Sequence, residues 1–164
     1  MTESNKPRRT LKPVLIAAAA AMGVAGLGGL MTDIGPWYMS LSAPAWKPPD
    51  WLFGPAWTVI FAFAAASGVS AWRAAPTRAS RDWMLALFAL NGFLNVLWSL
   101  LYFRLRRPDW ALMEVGFLWL SVLLLMVVLG RYSRKASLML TPYLLWIGFA
   151  GVLNWATVRL NSPF

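Results

Sequence analysis

Trp46-Lys47-Pro48-Pro49-Asp50-Trp51-Leu52-Phe53-Gly54-Pro55-Ala56-Trp57 places three tryptophans and three prolines within twelve residues. The stretch joins an irregular segment to a long apolar one. Proline fixes φ near −65° and removes a backbone donor, so Pro48-Pro49 should hold a stiff, extended path. Pro55 after Gly54 suits the first turn of a helix, where a missing N–H costs little. Trp57 then lies on that helix, with Trp51 and Trp46 above its entrance. Two readings of so much indole stand side by side. One is an aromatic belt anchoring a loop at the membrane–water interface. The other is a rigid aromatic mouth for a flat apolar ligand.

Working outward, the whole 164-residue chain is 59% hydrophobic and only 13% charged, with a mean hydropathy of +0.57. A soluble domain is nearer 45–50% apolar and about 25% charged. Lipid admits only helices or closed barrels, because each backbone polar group must be paired internally. The apolar runs are long and do not alternate, so the sequence predicts an all-α integral membrane protein, one bundle of five transmembrane helices. The helices fall at about 14–31, 55–72, 83–102, 110–129 and 138–158. Residues 1–13 form a basic tail, 14–160 the membrane domain, and 32–54 a long loop within it. The first run follows Pro7-Arg8-Arg9-Thr10-Leu11-Lys12, which hints at a twin-arginine signal, but its length suits a span. Ala19, Gly23, Gly26 and Leu27 give it a small-residue surface for close helix approach. A loop as long as 32–54 in so small a protein is usually functional.

The net charge of +9 does not point to nucleic acid, because the basic residues cluster beside apolar runs, where they set topology. The N-terminal side carries ten Lys and Arg and the other side five. The positive-inside rule therefore puts the N-terminus in the cytoplasm and the Trp/Pro loop outside, as in a bacterial inner membrane. The chain has no cysteine and no histidine. That removes disulfides, the usual general base and the commonest metal and haem ligands.

Helical spacing puts Trp57, Phe61, Ala64 and Gly68 on one face of the second helix. Asn91, Asn95, Trp98 and Tyr102 share a face of the third. Trp110, Glu114, Phe117 and Ser121 share a face of the fourth, and Tyr143, Trp146, Ala150 and Leu153 or Asn154 a face of the fifth. Asparagines inside a span should point into the bundle, either bonding helices together or meeting a ligand. Glu114 is the one carboxylate well inside a span. It is either a functional group or an anion favoured by the nearby helix N-terminus.

Three stretches together resemble the tryptophan-rich sensory protein family, also called the translocator protein or peripheral benzodiazepine receptor family. They are Trp46 to Trp57, Asn95-Val-Leu-Trp98-Ser-Leu-Leu-Tyr-Phe103, and Pro142-Tyr143-Leu-Leu-Trp146-Ile-Gly-Phe149-Ala150-Gly-Val-Leu153-Asn154. The resemblance covers roughly residues 14–160. It implies a five-helix bundle, usually a homodimer, that receives protoporphyrin and haem, sterols and synthetic benzodiazepine-type ligands. It also implies that the first loop lids a pocket lined by Trp51, Phe53, Trp57, Phe61, Asn91, Asn95, Trp98, Trp110, Phe117, Trp146, Ala150 and Leu153. Relatives occur in bacterial inner and mitochondrial outer membranes. This chain departs from the pattern in places. Phe61 stands where many members have Tyr, Asn91 where many have Gln, and Leu100 where a helix proline is common. The sterol-recognition segment Leu153 to Arg159 carries Trp155 for the usual Tyr. Ala86 and Leu90 occupy the positions of a dimer seam seen in some relatives.

The leading expectation is a receptor or sensor for a tetrapyrrole, with no cofactor or metal required. Lacking His and Cys, the chain favours free porphyrin, or haem held without a strong axial bond. A light-dependent porphyrin-degrading enzyme is the alternative, with Trp51 and Trp146 as the participating tryptophans. A proton-coupled carrier using Glu114 and a partner-binding scaffold are the others. The sequence shows no acid–base pair or nucleophile–base constellation.

Overall fold

A computed structural model describes residues 11–164. The basic tail with Lys6, Arg8 and Arg9 therefore falls outside the described residues. Five apolar rods long enough to cross a membrane run antiparallel. They are α1 (Lys12–Met31), α3 (Phe53–Ala74), α4 (Arg78–Ser99, continued by one wide turn to Arg104), α5 (Pro108–Gly130), and the pair α6 (Arg134–Met139) and α7 (Thr141–Asn161). A short helix, α2 (Pro36–Ser40), lies in the first loop.

Local chemistry sets each boundary. α4 starts five residues before the apolar run because Thr77 caps it, accepting from the Ser80 N–H at 3.1 Å; apolar content alone misses a polar first turn. Ser133 caps α6 in the same way, through the Ala136 N–H at 3.2 Å. The fifth span is broken at Leu140, not one rod. Pro142 has no N–H to offer the Leu138 carbonyl, so the helix restarts there. At the end of α4 the Leu105 N–H reaches back five residues to the Leu100 carbonyl at 2.9 Å. Leu100 thus heads a widened π-type turn, and such turns recur at functional sites.

α5 is the central rod. It packs on α4, α6 and α7, while α1 packs mainly on α3 and α4. Leu118, Val122, Leu125 and Leu129 of α5 meet Ala71, Ala136 and Leu140 in a dry core. The Ser67 hydroxyl adds a bond to the Ala136 carbonyl at 2.6 Å. This solid part lies at the end away from the first loop. At the loop end α3 and α7 barely touch, and a hollow separates them.

α1 turns a different face inward from the one expected. Ala19, Gly23, Gly26 and Leu27 are exposed. Ala18, Ala21, Val24 and Gly28 face the bundle instead. A Cβ on Gly92 of α4 would lie 2.9 Å from the Val24 Cγ2, so Gly92 is what admits α1 to that side.

Candidate functional site

The hollow is a chamber of about 860 Å³ enclosed by α1, α3, α4, α5 and α7, with the first loop over its end. Two aromatic walls face it. On one, Trp57 stacks on Phe61 at 5.2 Å and meets Trp146 edge-on at 6.5 Å; Trp146 in turn meets Phe53 at 5.6 Å. On the other, Trp98 stacks on Tyr102 at 5.0 Å, and Phe103 closes the group at 4.8 Å from Tyr102. The wide turn after Ser99 is what brings Tyr102 and Phe103 to this wall. Edge-to-face and offset contacts of this kind hold rings rigidly, each worth about 0.5–1.5 kcal/mol beyond burial.

The loop is fastened at two points. Tyr38 donates to Asp50 at 2.8 Å, Lys47 pairs with the same carboxylate oxygen at 2.7 Å, and the Lys47 ammonium sits 4.8 Å from the Tyr38 ring centre. At the second point Asn161 exchanges two bonds with the Ser42 backbone, each 2.8 Å. Trp46 rests against Phe149 at 5.9 Å. Burial opposes charge on Lys47, but its bonds to Asp50 and Tyr38 outweigh this, and its proton is held above the ordinary 10.5. Burial also lifts the Tyr38 phenol above 10.0, against the pull of Lys47. Replacing Asn161 with Ala removes the second fastening. Amide exchange between residues 37 and 47 should then accelerate about fivefold, the equivalent of about 1 kcal/mol, read by hydrogen–deuterium exchange in detergent.

Eight of the twelve residues expected to form the pocket line this chamber: Phe53, Trp57, Phe61, Asn95, Trp98, Trp146, Ala150 and Leu153. The other four are placed elsewhere. Asn91 is buried beneath the chamber, its amide donating to the Ser121 hydroxyl at 2.8 Å and its carbonyl accepting from Tyr143 at 3.0 Å. It bonds helices together. Asn95 gives its amide to the Tyr143 hydroxyl at 3.2 Å, and its Oδ1 has no donor among the described residues. One asparagine is therefore glue, and the other is glue with a free acceptor. Trp51, Trp110 and Phe117 are 72%, 48% and 64% exposed, on the outside. Trp110 lies under the Arg107 guanidinium at 4.3 Å, and Trp155 under Arg159 at 5.3 Å. Both are placed as belt residues are. The indole-rich stretch is divided between two settings: Trp51 faces out and Trp57 faces the chamber. Trp51 and Trp146, the pair of the degradative alternative, do not share the chamber.

The chamber also has members that the sequence did not disclose. Ala18, Ala21 and Gly28 of α1, Tyr38 and Asp50 of the loop, and Val115 and Leu118 of α5 all line it. Glu114 is 6% exposed, and neither carboxyl oxygen has a partner among the described residues. It does not line the chamber.

The family model described as TspO/MBR matches residues 15–160. The chain belongs to the TspO/MBR family. It is 35% identical over 162 residues to the tryptophan-rich protein TspO of Chlorobaculum tepidum, covering 96% of this chain and 99% of that one. It is 39% identical to the protein of the same name from Archaeoglobus fulgidus, over 90% of this chain and 94% of the other. The translocator protein of Bos taurus is 30% identical over 77% of this chain and 75% of its own length. This TspO/MBR protein is thus an integral, multi-pass membrane protein, and the aromatic chamber under the first loop is its candidate site.

Proposed function

We propose that the chain is a membrane receptor that takes a flat, largely apolar ligand of the tetrapyrrole class beneath the loop, which acts as a lid. One observation carries this reading: two rigid aromatic walls face each other across a space of about 860 Å³. That volume lies in the range of small-molecule sites, and such sites combine apolar walls with a few polar points. Here the polar points are Asn95 in the wall and Tyr38 and Asp50 in the lid. A porphyrin ring would stack between the walls. With no His or Cys in the chain, the thioether of Met22 is the soft donor the chamber offers an iron, so metal-free porphyrin suits it better than haem. Relatives named a tryptophan-rich sensory protein, in Cereibacter sphaeroides, and a translocator protein, in Bos taurus, are consistent with a sensing or translocating role. We extend the reading to a bacterial inner membrane with the N-terminus cytoplasmic. A homodimer belongs to the same reading.

Titrating the protein in nanodiscs with protoporphyrin tests it. Saturable quenching of tryptophan fluorescence at one porphyrin per chain is expected; quenching that grows linearly without saturation would remove the proposal. The lid adds a pH dependence. Lys47 and Tyr38 both have raised proton affinities, so their contribution is complete below about pH 10 and is lost as pH climbs through the higher folded-state values. Porphyrin release should be flat from about pH 6 to 9 and accelerate above about pH 10.5, by no more than about fivefold, since a partly exposed pair contributes about 0–1 kcal/mol. In Lys47→Ala the release rate should already be fast at neutral pH.

A further inference from the structure

A second recess of about 1020 Å³ opens at the end of the bundle away from the lid, between α1, α3 and α6. Its floor is small and apolar: Ala17 and Ala18 of α1, Ala62, Ala66 and Val69 of α3. Its outer rim is basic, with Arg73, Arg81 and Lys135, and no acidic residue among the described residues lines it. The ion pairs among the described residues lie elsewhere, at Lys47–Asp50, Arg78–Asp82 and Arg107–Asp109. Arg81 is turned inward. It donates to the Ala75 carbonyl at 3.2 Å, lies 5.4 Å from the Trp72 ring centre, and its buried Nε has no acceptor among the described residues. Topology alone calls for basic residues near this end, but not for one held over an alanine-floored groove.

We propose that this groove seats one anionic phospholipid, its phosphate on Arg73, Arg81 and Lys135 and an acyl chain along the alanine floor. The dimensions agree. From Arg73 to Ala62 is eleven residues of helix, about 16 Å at 1.5 Å per residue. That is about the depth of one leaflet, half of a ~30 Å hydrocarbon core. The rim thus sits at headgroup level when the floor spans the acyl region. Basic pockets between helices bind anionic headgroups at the membrane surface. Ala18, Ala62 and Ala65 line both this groove and the aromatic chamber, so one layer of alanine separates the two.

Delipidated full-length protein and native mass spectrometry test the proposal, comparing phosphatidylglycerol with phosphatidylcholine of identical acyl chains. Each basic residue near the surface contributes about fivefold toward an anionic lipid. One phosphatidylglycerol should be retained at a concentration on the order of 100-fold below that needed for phosphatidylcholine. Arg73 and Lys135 are exposed, so Arg73→Gln with Lys135→Gln should leave the fold intact and cut the preference by roughly 25-fold. Val69→Trp, which fills the groove and not the chamber, should also abolish the single retained lipid while the melting temperature holds. Equal retention of both lipids, or a preference untouched by either variant, overturns the proposal. So does displacement of the lipid by millimolar inorganic phosphate, which would mark a site for free anions. None of these readouts requires that the chamber bind porphyrin.

Discussion

Replacing Trp146 with Ala should weaken protoporphyrin binding by roughly 30-fold. Its ring touches Phe53, Trp57 and Phe149, so it is both a contact surface and the brace of one wall. Truncating a central aromatic anchor commonly costs about 2 kcal/mol or more, and 1.4 kcal/mol is tenfold. The indole Nε1 has no acceptor among the described residues, so the loss comes from ring surface and not from a broken hydrogen bond. Trp146→Phe should accordingly recover most of the affinity. Trp110→Ala is the control, since that ring stands outside under Arg107 and should change affinity less than about twofold. Fluorescence titration in nanodiscs reads all three; equal losses at Trp146 and Trp110 would mean that porphyrin binds the outer surface.

Tyr143→Phe should destabilise the bundle by about 1–2 kcal/mol. The hydroxyl of this buried residue donates to Asn91 at 3.0 Å and accepts from Asn95 at 3.2 Å. Removing it leaves the Asn91 Oδ1 and the Asn95 Nδ2 without this partner in a low-dielectric core, each loss costing about 1–3 kcal/mol in principle. Hydrogen bonds between membrane helices average only about 0.6 kcal/mol, because helices that separate within the bilayer find other partners. The expected figure lies between these limits. Denaturation in mixed micelles, followed by tryptophan fluorescence, measures it. A double-mutant cycle with Asn91→Leu should return about 1 kcal/mol of coupling; additive losses would show that the two side chains do not share a bond.

The five spans were legible because lipid leaves so few structures open to an apolar chain. The chamber was legible where a helix face carried mixed chemistry. On α3, α4 and α7 the aromatics and asparagines mark an angle, and Trp57, Asn95, Trp98 and Trp146 fall on it. α5 is apolar all round, so periodicity had no phase to report. Trp110 and Phe117 drew the inward face toward themselves, whereas Ala111, Val115, Leu118, Val122, Leu125 and Leu129 hold it, a quarter turn away. α1 was opaque for the opposite reason. Its part in the site is the volume its alanines and Gly28 leave empty, and a missing side chain has no signature. The two asparagines of α4 could be separated only by the position of the Tyr143 hydroxyl, which comes from another helix.

The clasp between Ser42 and Asn161 joins residues 119 positions apart. At a ribosomal rate of about 5–20 residues per second, the second half of that clasp follows the first by roughly 6–24 s. During biosynthesis the greasy interior therefore stands uncovered until the final rod has been inserted. On the proposed function, a ligand dissolved in the bilayer could settle on the walls of α3 and α4 in that interval and be enclosed as α7 arrives, so newly made and mature copies should differ in how quickly they load.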